Sequence, residues 1–322
     1  MPKRPRIAFI TTKEYRSQSE SQLRRFVYED LGFLVRGFDV LSTGRTARKV
    51  LEIIDGPVPE EFVPALAECL QVETVTETDL QRWRKLFRSS SFICLPDSVQ
   101  GMIEIAYELV EGRLDAVLHL TDWSQVSGKP PAMVVRRQAN VHNVYIATDF
   151  TTIQQAVRRW RSSLAGGVGD IFRPRQPIAP SPIADLSGSV LALIAHDAKK
   201  LDMCWFVVDH ARQIMKYDYI LATGTTGEEV TRFLIAAGQP EKEVKSKIRL
   251  CLSGPKGGDV QIAAAVVREL CSKVIFLQDP MSTHAHETDI HLFEQAPLLF
   301  REAALKVPFE LAFNVETART LL

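Results

Sequence analysis

The sequence predicts an α/β protein made of two tandem domains, each built around a mainly parallel sheet. Short aliphatic and β-branched runs alternate with helical stretches such as 201–215 and 258–271, which is typical of right-handed βαβ crossovers. The same order of elements occurs twice, on either side of a segment rich in Ser, Gly and Pro. We therefore assign an N-terminal domain to 1–160, a linker to 161–188 and a C-terminal domain to 189–322.

Five strand-like segments recur in the same order in the two copies. In the first copy they begin at Ile7, Leu41, Ile93, Asp115 and Asn143. In the second copy they begin at Leu191, Leu221, Leu250, Ser272 and Val307. The first four pairs match closely in sequence, and the fifth pair matches only loosely.

The first copy is longer than the second between its second and third segments. The difference is about 23 residues, and it places an insertion within 51–91. This insertion contains Pro57, Pro59 and Pro64, followed by a helical stretch at 77–87. These features favour an added flap or helix.

Composition excludes several classes of partner. There are 39 basic residues (Lys and Arg) and 39 acidic residues (Asp and Glu), so the formal charge is zero. This balance gives no support for a nucleic-acid or membrane-surface partner. A small anion can still be bound by a few local cations. No apolar stretch approaches the length of a membrane span.

The compartment is predicted from the N-terminus and the cysteines. The basic start of the chain leads into a strand-like run rather than a secretory apolar region. The five cysteines form no C-x-x-C pair, and most lie in or beside apolar runs. We therefore expect buried free thiols in a cytoplasmic protein.

Polar and small residues follow four predicted strands of the second copy, where a parallel sheet builds its site. They are His196, Asp197 and Lys200 after the first strand, 222–227 after the second, 253–259 after the third, and Asp279 with His286 and Asp289 after the fourth.

The turns after the second and third strands are candidate ligand sites. In Thr223-Gly-Thr-Thr-Gly227, hydroxyls and backbone N–H groups at a helix start suit an anion. A bare turn with Thr as N-cap is the alternative. Three glycines between Ser253 and Asp259 let the backbone approach a ligand closely, whereas Asp259 taken alone would be a helix cap.

The other two segments supply charged and imidazole side chains. Asp197 and Lys200 share a face if a helix begins there, and a surface ion pair is the alternative. His284, His286 and His291 would suit a metal site, but no further ligand has convincing spacing, and a solvated polar loop is another alternative. The placement of all four segments after successive strands favours one site with a phosphate cradle, carboxylates and imidazoles. Such a site suits proton abstraction from a small phosphorylated ketone.

These residues, in this order over roughly 189–320, closely resemble the methylglyoxal synthase family. That family is similar in fold to a regulatory domain of carbamoyl phosphate synthetase and to the cyclohydrolase part of a purine-pathway enzyme. The resemblance implies a doubly wound, three-layer α/β/α fold with a five-stranded sheet. It also implies a lyase of a glycolytic bypass that converts dihydroxyacetone phosphate to methylglyoxal and inorganic phosphate. No metal or organic cofactor is implied, and phosphate would also act as an inhibitor.

The resemblance assigns a role to each matching residue. Asp259 matches the general base that removes a proton from the hydroxyl-bearing carbon, and His286 matches the imidazole that contacts the substrate oxygens. Asp279 and Asp289 match carboxylates that support this imidazole. The remaining matches are Lys200, Thr223, Gly224, Thr225 and Thr226 in the phosphate cradle, with His196, Asp197, Ser253 and Gly254 around it.

The C-terminal tail departs from the family pattern. Family members continue past the motif matching 314–318 into a tail whose arginine reaches a neighbouring subunit's phosphate. The sequence here stops at Leu322, before that arginine. An arginine of the other repeat is one replacement for it.

The N-terminal copy departs further from the family pattern. In our alignment Thr12 and Lys13 replace His196 and Asp197, Asp97 replaces Gly254, Met102 replaces Asp259, and Lys129 replaces His286, while Thr43, Gly44, Thr46 and Asp122 are kept. A unit without the base and the imidazole is not expected to catalyse the reaction. We expect it to be a structural or ligand-binding partner of the second copy.

Two further expectations concern function and assembly. A non-catalytic sensor of a phosphorylated metabolite is the alternative to an enzyme, but Asp259, His286 and Asp289 favour the enzyme, because a binding module needs only the cradle. The family tends to form homohexamers, so we expect a homo-oligomer, with three tandem chains imitating a hexamer.

Overall fold

Each half of the chain folds around one five-stranded sheet, and every pairing between the described strands is parallel. The computed structural model describes residues 4–17, 20–121, 130–165, 171–172, 181–281, 287–294 and 309–322. The chain divides into two units, Met1–Pro177 and Ile178–Leu322, and this boundary lies within the segment that the sequence assigned to the linker.

The strands of both units fall close to the predicted segments. In the first unit they are β1 Arg6–Thr11, β2 Asp39–Thr43, β3 Phe92–Leu95, β4 Ala116–Leu120 and β5 Tyr145–Ala147. In the second unit they are β6 Val190–Ala195, β7 Tyr219–Thr223, β8 Ile248–Cys251, β9 Lys273–Leu277 and β10 Glu310–Ala312.

Both sheets have the same topology. The spatial order is β3-β2-β1-β4-β5 in the first and β8-β7-β6-β9-β10 in the second. The chain starts at the central strand, moves to one edge, and then crosses back to fill the other edge, which is a doubly wound arrangement. The predicted fold class, two tandem doubly wound three-layer α/β/α domains with parallel sheets, is confirmed.

Helices connect the strands. The α-helices of the first unit are α1 Lys13–Ser17, α2 Glu20–Phe26, α3 Gly32–Gly37, α4 Gly44–Asp55, α5 Val63–Leu70, α6 Glu77–Leu86, α7 Ser98–Val110, α8 Pro130–Val141 and α9 Phe150–Ala165. Those of the second unit are α10 Lys200–Asp209, α11 Ala211–Ile214, α12 Gly224–Ala236, α13 Glu241–Lys247, α14 Gly258–Val267, α15 Glu287–Glu294 and α16 Val315–Leu321. Single turns of 3-10 helix lie at Glu60–Phe62, Asp197–Lys199 and Gly254–Lys256, and a π-helical turn spans Val27–Leu31.

Strand register supports the correspondence between the central strands of the two units. Ile7 pairs with Ala116 in the first sheet, and Leu191 pairs with Lys273 in the second. The sequence alignment of the two copies makes Ile7 equivalent to Leu191 and Ala116 equivalent to Lys273, so equivalent residues are paired in both sheets. The carboxyl ends of the central strands therefore lie at equivalent places in the two units.

The third strand requires a correction of one residue. Thr43 pairs with Leu95, whereas the equivalent Thr223 pairs with Cys251, so Leu95 rather than Cys94 matches Cys251. Asp97 therefore stands at the position of Ser253, and not at that of Gly254 as the alignment assumed. The sequence could not show this because one more residue lies between Cys251 and Gly258 than between Leu95 and the equivalent glycine, Gly101.

The insertion in the first unit is helical and packs on the domain. Helix α6 begins with a capping box, in which Thr76 and Asp79 exchange side-chain and backbone hydrogen bonds. From this helix, Trp83 is fully buried and stacks on Tyr28, with ring centroids 5.3 Å apart. The Cα of Gly32 lies against Trp83 as well, since a Cβ there would come within 3.2 Å of the indole nitrogen. The sequence predicted either a flap or a helix in this insertion, and the structure shows helices.

Burial follows the sequence pattern in the strands. All six residues of β6 are buried, as expected for a central strand covered on both faces. The five cysteines are free thiols, but Cys94 is exposed, so the expectation of buried thiols is wrong at that position. No helix in the described ranges is long and apolar enough to cross a membrane.

Candidate active site

A cavity of about 640 Å³ opens at the carboxyl ends of the strands of the second sheet. It is lined by Ile194, Ala195, His196, Asp197, Ala198, Lys200, Thr223, Thr225, Thr226, Ser253, Gly254, Pro255, Asp259 and Asp279. Of the predicted site residues within the described ranges, all but Gly224 and Asp289 are in this lining. The four segments therefore converge, as expected for loops that follow neighbouring parallel strands.

Hydroxyls and one ammonium line one side of the cavity. The Nζ of Lys200 donates to Thr225 Oγ1 at 2.6 Å and also lies 2.5 Å from a carboxylate oxygen of Asp197. Thr223 is the N-cap residue of α12, and its hydroxyl lies 3.4 Å from that of Thr226. Backbone N–H groups at the start of a helix and a lysine beside them suit a phosphate group.

Two backbone segments approach each other closely where α12 begins. A Cβ on Gly224 would lie 3.2 Å from the backbone nitrogen and Cα of Ser253. The close approach brings the loop after β8 against the first turn of α12. Gly224 therefore supports the cradle through its backbone, although it does not line the cavity itself.

The Asp259 carboxylate lies in the same cavity, at the start of α14. This side chain is only 1% exposed and belongs to the first turn of the helix, where the helix dipole stabilises a negative charge. The turn before it depends on Gly257, whose φ of +107° is in the left-handed region. It depends also on Gly258, where a Cβ would be 1.9 Å from the carbonyl oxygen of Leu252.

His196 is held in a defined orientation beside Asp279. Its Nδ1 accepts the backbone N–H of Asp279 at 2.9 Å, and its ring packs edge-on against Phe276 with centroids 5.1 Å apart. Because Nδ1 accepts, a neutral ring carries its proton on Nε2. The Asp279 carboxylate in turn accepts the backbone N–H of Met281 at 3.0 Å.

The predicted carboxylate Asp289 is described by the structure, whereas the predicted imidazole His286 is not. Asp289 is fully buried in α15, outside the lining. His286 lies outside the described residues, as do His284, Lys129 and Asp122. Within the described part of the chain, no group of three or more His, Cys, Asp or Glu side chains is arranged to hold a metal ion.

Sequence reasoning missed Gln261. Its side chain is 3% exposed, and its Oε1 accepts the backbone N–H of Leu252 at 2.8 Å. The available signal was a single amide side chain in the otherwise apolar run 260–267. A polar residue in such a run must find a hydrogen-bond partner when it is buried.

The equivalent edge of the first unit keeps the threonines. The hydroxyls of Thr43 and Thr46 lie 3.1 Å apart, and the backbone N–H of Thr11 donates to Thr46 Oγ1 at 3.0 Å. Lys13 and Met102 replace the Asp197 and Asp259 carboxylates in the alignment. The hydroxyl arrangement is therefore retained without an equivalent of the Asp259 carboxylate.

A carboxylate lies at the start of α4 in the first unit. One oxygen of Asp97 is 2.1 Å from the place where a Cβ on Gly44 would lie, and the other is 2.5 Å from the guanidinium of Arg48. At the equivalent place in the second unit, the atoms nearest to a Cβ on Gly224 belong to Ser253. The first unit thus has a carboxylate side chain where the second unit has a serine.

The fold and the cavity define a class of protein: a doubly wound α/β domain with a cavity lined by threonine hydroxyls, a lysine and a buried carboxylate. Comparison with known proteins identifies the family. No protein-family model matches the chain. Curated relatives match part of it, and they are named methylglyoxal synthase.

The relative from Ralstonia nicotianae is 43% identical over 106 residues, which are 33% of this chain and 70% of that protein. The relative from Clostridium perfringens is 36% identical over 132 residues, or 41% of this chain and 96% of that protein. A crystal structure of methylglyoxal synthase from Elizabethkingia anophelis is 28% identical and covers 42% of this chain and 76% of its own, with a TM-score of 0.31. The chain belongs to the methylglyoxal synthase family.

Proposed function

We propose that the second unit is a methylglyoxal synthase, which converts dihydroxyacetone phosphate to methylglyoxal and inorganic phosphate. The observation that carries the proposal is the buried Asp259 carboxylate in the same cavity as the Lys200–threonine cradle. A module that only senses phosphate has no use for a buried carboxylate beside the anion, since like charges repel. The relatives named methylglyoxal synthase support the same activity.

Substrate binding would begin at the phosphate. Lys200, the hydroxyls of Thr225 and Thr226, and the N-terminus of α12 supply positive charge and hydrogen-bond donors. This fixes one end of a three-carbon ketone. The other end then reaches the part of the cavity that Asp259 and His196 line.

Proton transfer is the first chemical step. Asp259 takes a proton from the hydroxyl-bearing carbon, and the electron pair of that carbon–hydrogen bond passes toward the carbonyl oxygen to form an enediolate. A positioned general base contributes typically about 10²–10⁴-fold to such a step. The Nε2–H of a neutral His196 and, by resemblance, His286 would donate hydrogen bonds to the developing oxyanion.

Phosphate elimination follows once the former carbonyl oxygen is protonated. The other hydroxyl, on the carbon that lost its proton, becomes an aldehyde: its oxygen forms the new C=O bond, the double bond shifts along the chain, the carbon–oxygen bond to phosphate breaks, and the hydroxyl proton goes to the leaving phosphate. The remaining enol becomes methylglyoxal by a proton shift from oxygen to carbon. The cradle aligns the breaking bond with the enediol π system, and no step requires an oxidant or a reductant.

One active site per chain follows from the replacement of Asp259 by Met102 in the first unit. We also propose a trimer of tandem chains, because the two units share one topology and a family hexamer would then be formed by three chains. Light scattering of the full chain tests the assembly, and a monomeric mass would contradict it.

A direct assay tests the activity. The purified chain is given dihydroxyacetone phosphate, and methylglyoxal and phosphate are both measured, with Asp259→Asn as the inactive variant. Equal release of both products, reduced at least about a hundredfold by the substitution, is the expected result. Saturable binding of the ketose phosphate without turnover would instead mean that the second unit is a sensor.

A further inference from the structure

The backbone of Leu252 joins the two helices that carry the candidate site. Its carbonyl oxygen accepts the N–H of Gly224, at the start of the cradle helix α12, at 3.3 Å. Gly258, at the start of helix α14, packs against the same oxygen. The Leu252 N–H donates to Gln261 of α14 at 2.8 Å. The side chain of Gln261 on α14 is therefore bonded to Leu252, and the carbonyl oxygen of Leu252 accepts the first N–H of α12.

Gln261 is placed to set the orientation of Asp259. The two residues are two positions apart on α14, so their side chains leave the helix on nearly opposite faces. Asp259 lines the cavity, and Gln261 reaches back to the end of β8. Its neighbours Val260 and Ile262 are fully buried, so the amide is fixed within the core. A helix held at one face in this way presents the base at the other face with little freedom to rotate.

The first unit provides an internal comparison for the donor of this hydrogen bond. There Pro96 takes the position of Leu252, because its carbonyl oxygen accepts the N–H of Gly44 at 3.2 Å, just as Leu252 accepts that of Gly224. Proline has no backbone N–H. The donor has therefore been lost in the unit that lacks the base.

The acceptor has changed in the same unit. Gly101 is equivalent to Gly258. A Cβ on Gly101 would lie 2.3 Å from the carbonyl oxygen of Pro96, and a Cβ on Gly258 would lie 1.9 Å from that of Leu252. Counting from these glycines, Met102 matches Asp259 and Glu104 matches Gln261. The first unit therefore lacks equivalents of three groups: the Asp259 carboxylate, the backbone N–H of Leu252 and the side-chain amide of Gln261.

We propose that Gln261 is a positioning residue, which holds Asp259 at the separation from the phosphate cradle that proton abstraction requires. The proposal rests on the proposed synthase activity. Its physical basis is that a base acts only from a near-attack position, where a misplacement of about 1 Å can cost on the order of 10²-fold in rate. The cradle also has contacts that do not involve Gln261, because Lys200 at the start of α10 donates to Thr225 and the hydroxyl of Thr226 donates to the carbonyl oxygen of Ala195.

The test compares Gln261→Met with wild type in the full chain. Methionine keeps the length of the side chain and its burial, but its thioether sulfur is only a weak acceptor for the Leu252 N–H. We expect kcat to fall by about 10- to 100-fold, while the KM and the inhibition constant of inorganic phosphate stay within about threefold. Glu104→Met, at the matched position of the first unit, is the control and is expected to leave kcat unchanged.

A second variant keeps the acceptor. In Gln261→Glu the side chain can still accept the Leu252 N–H, from the face of α14 opposite Asp259. We expect partial recovery of kcat relative to Gln261→Met, while KM and the phosphate inhibition constant stay at their wild-type values. A merely structural role would change these constants together with kcat. This variant also carries the test if circular dichroism shows that Gln261→Met is unfolded.

The outcomes separate the two proposals. An active wild-type chain with Gln261→Met within about twofold of its kcat would overturn the positioning role and leave the synthase activity standing. A parallel loss of kcat and of phosphate inhibition would also overturn it, since the damage would then be general. A wild-type chain that releases no methylglyoxal would overturn both.

Discussion

The imidazole of His196 accepts the backbone N–H of Asp279 at 2.9 Å, and this bond joins the loops that follow the two central strands β6 and β9 of the second sheet. It fixes both the plane of the ring and the nitrogen that carries the proton when the ring is neutral. The remaining nitrogen is then a hydrogen-bond donor at the cavity wall. This pairing arises from residues 83 positions apart in sequence, and strand order alone brings them together.

Substitution of His196 tests this relationship. His196→Ala removes both the acceptor for Asp279 and the Nε2–H donor, and we expect kcat/KM to fall by about 10²-fold or more, as for loss of an oxyanion donor. His196→Asn can still accept the Asp279 N–H, so it should keep the wild-type melting temperature and lose activity alone. Steady-state kinetics and thermal unfolding are measured on both variants. Full activity in His196→Ala would contradict the assignment.

Substitution of Lys200 tests the cradle. Lys200→Met removes the ammonium beside Thr225, and we expect KM and the phosphate inhibition constant to rise together by about tenfold, the value of a charge-assisted hydrogen bond. Turnover at saturation should change less. Lys199→Met is the matched control, because Lys199 pairs with Asp202 and is not part of the cavity lining. Equal effects of the two substitutions would mean that the response reflects net charge rather than the cradle.

Much of this arrangement could be predicted from sequence, for a physical reason. Thr223 ends one apolar strand and Asp259 lies in the first helical turn after another, and parallel strands have their carboxyl ends at the same edge of the sheet. The Asp97 position was misassigned because a one-residue difference in loop length is invisible without the register of β3. Gln261 was missed because its partner is a backbone N–H, and such a group leaves no mark in the sequence.

Buried Asp30 makes the stability of the first unit depend on pH. Burial raises the pKa of its carboxyl from 3.8 to about 6, despite the guanidinium of Arg161 at 3.4 Å. The folded state therefore binds this proton more tightly than the unfolded state does. The stabilisation is fully present below about pH 4 and is lost as the pH rises through 6.

Asp30→Asn should remove this pH dependence. The variant's free energy of unfolding, relative to wild type, is expected to increase between pH 4 and pH 6 by roughly 1–3 kcal/mol, since one pKa unit corresponds to about 1.4 kcal/mol. Urea titrations at several pH values measure it. The free energy of unfolding of wild type is subtracted from that of the variant at each pH. This is needed because burial lowers the pKa of His119 to about 4, which makes stability rise with pH over the same range. Parallel curves for variant and wild type would contradict the role of Asp30.

Asp97 should act in the first unit as an internal substitute for a bound anion. Its carboxylate lies against Gly44 at the start of α4 and pairs with Arg48, where a helix N-terminus favours negative charge by about 0.3–1 kcal/mol. Asp97→Ser places there the residue type that the second unit has at Ser253. We expect a melting temperature lower by about 2–4 °C, and its recovery by millimolar phosphate but not by chloride at equal ionic strength.

The measurement is made in a Lys200→Met background, so that phosphate binding by the second unit does not mask the response. Asp55→Ser, at the far end of α4 and paired with Arg88, is the matched surface control and should show no phosphate-dependent recovery. A phosphate response of equal size in the chain that keeps Asp97 would mean that its carboxylate does not occupy an anion position. Methylglyoxal formation in the otherwise wild-type chain should be unaffected by Asp97→Ser, because Met102 leaves the first unit without a base whether or not its cradle is open.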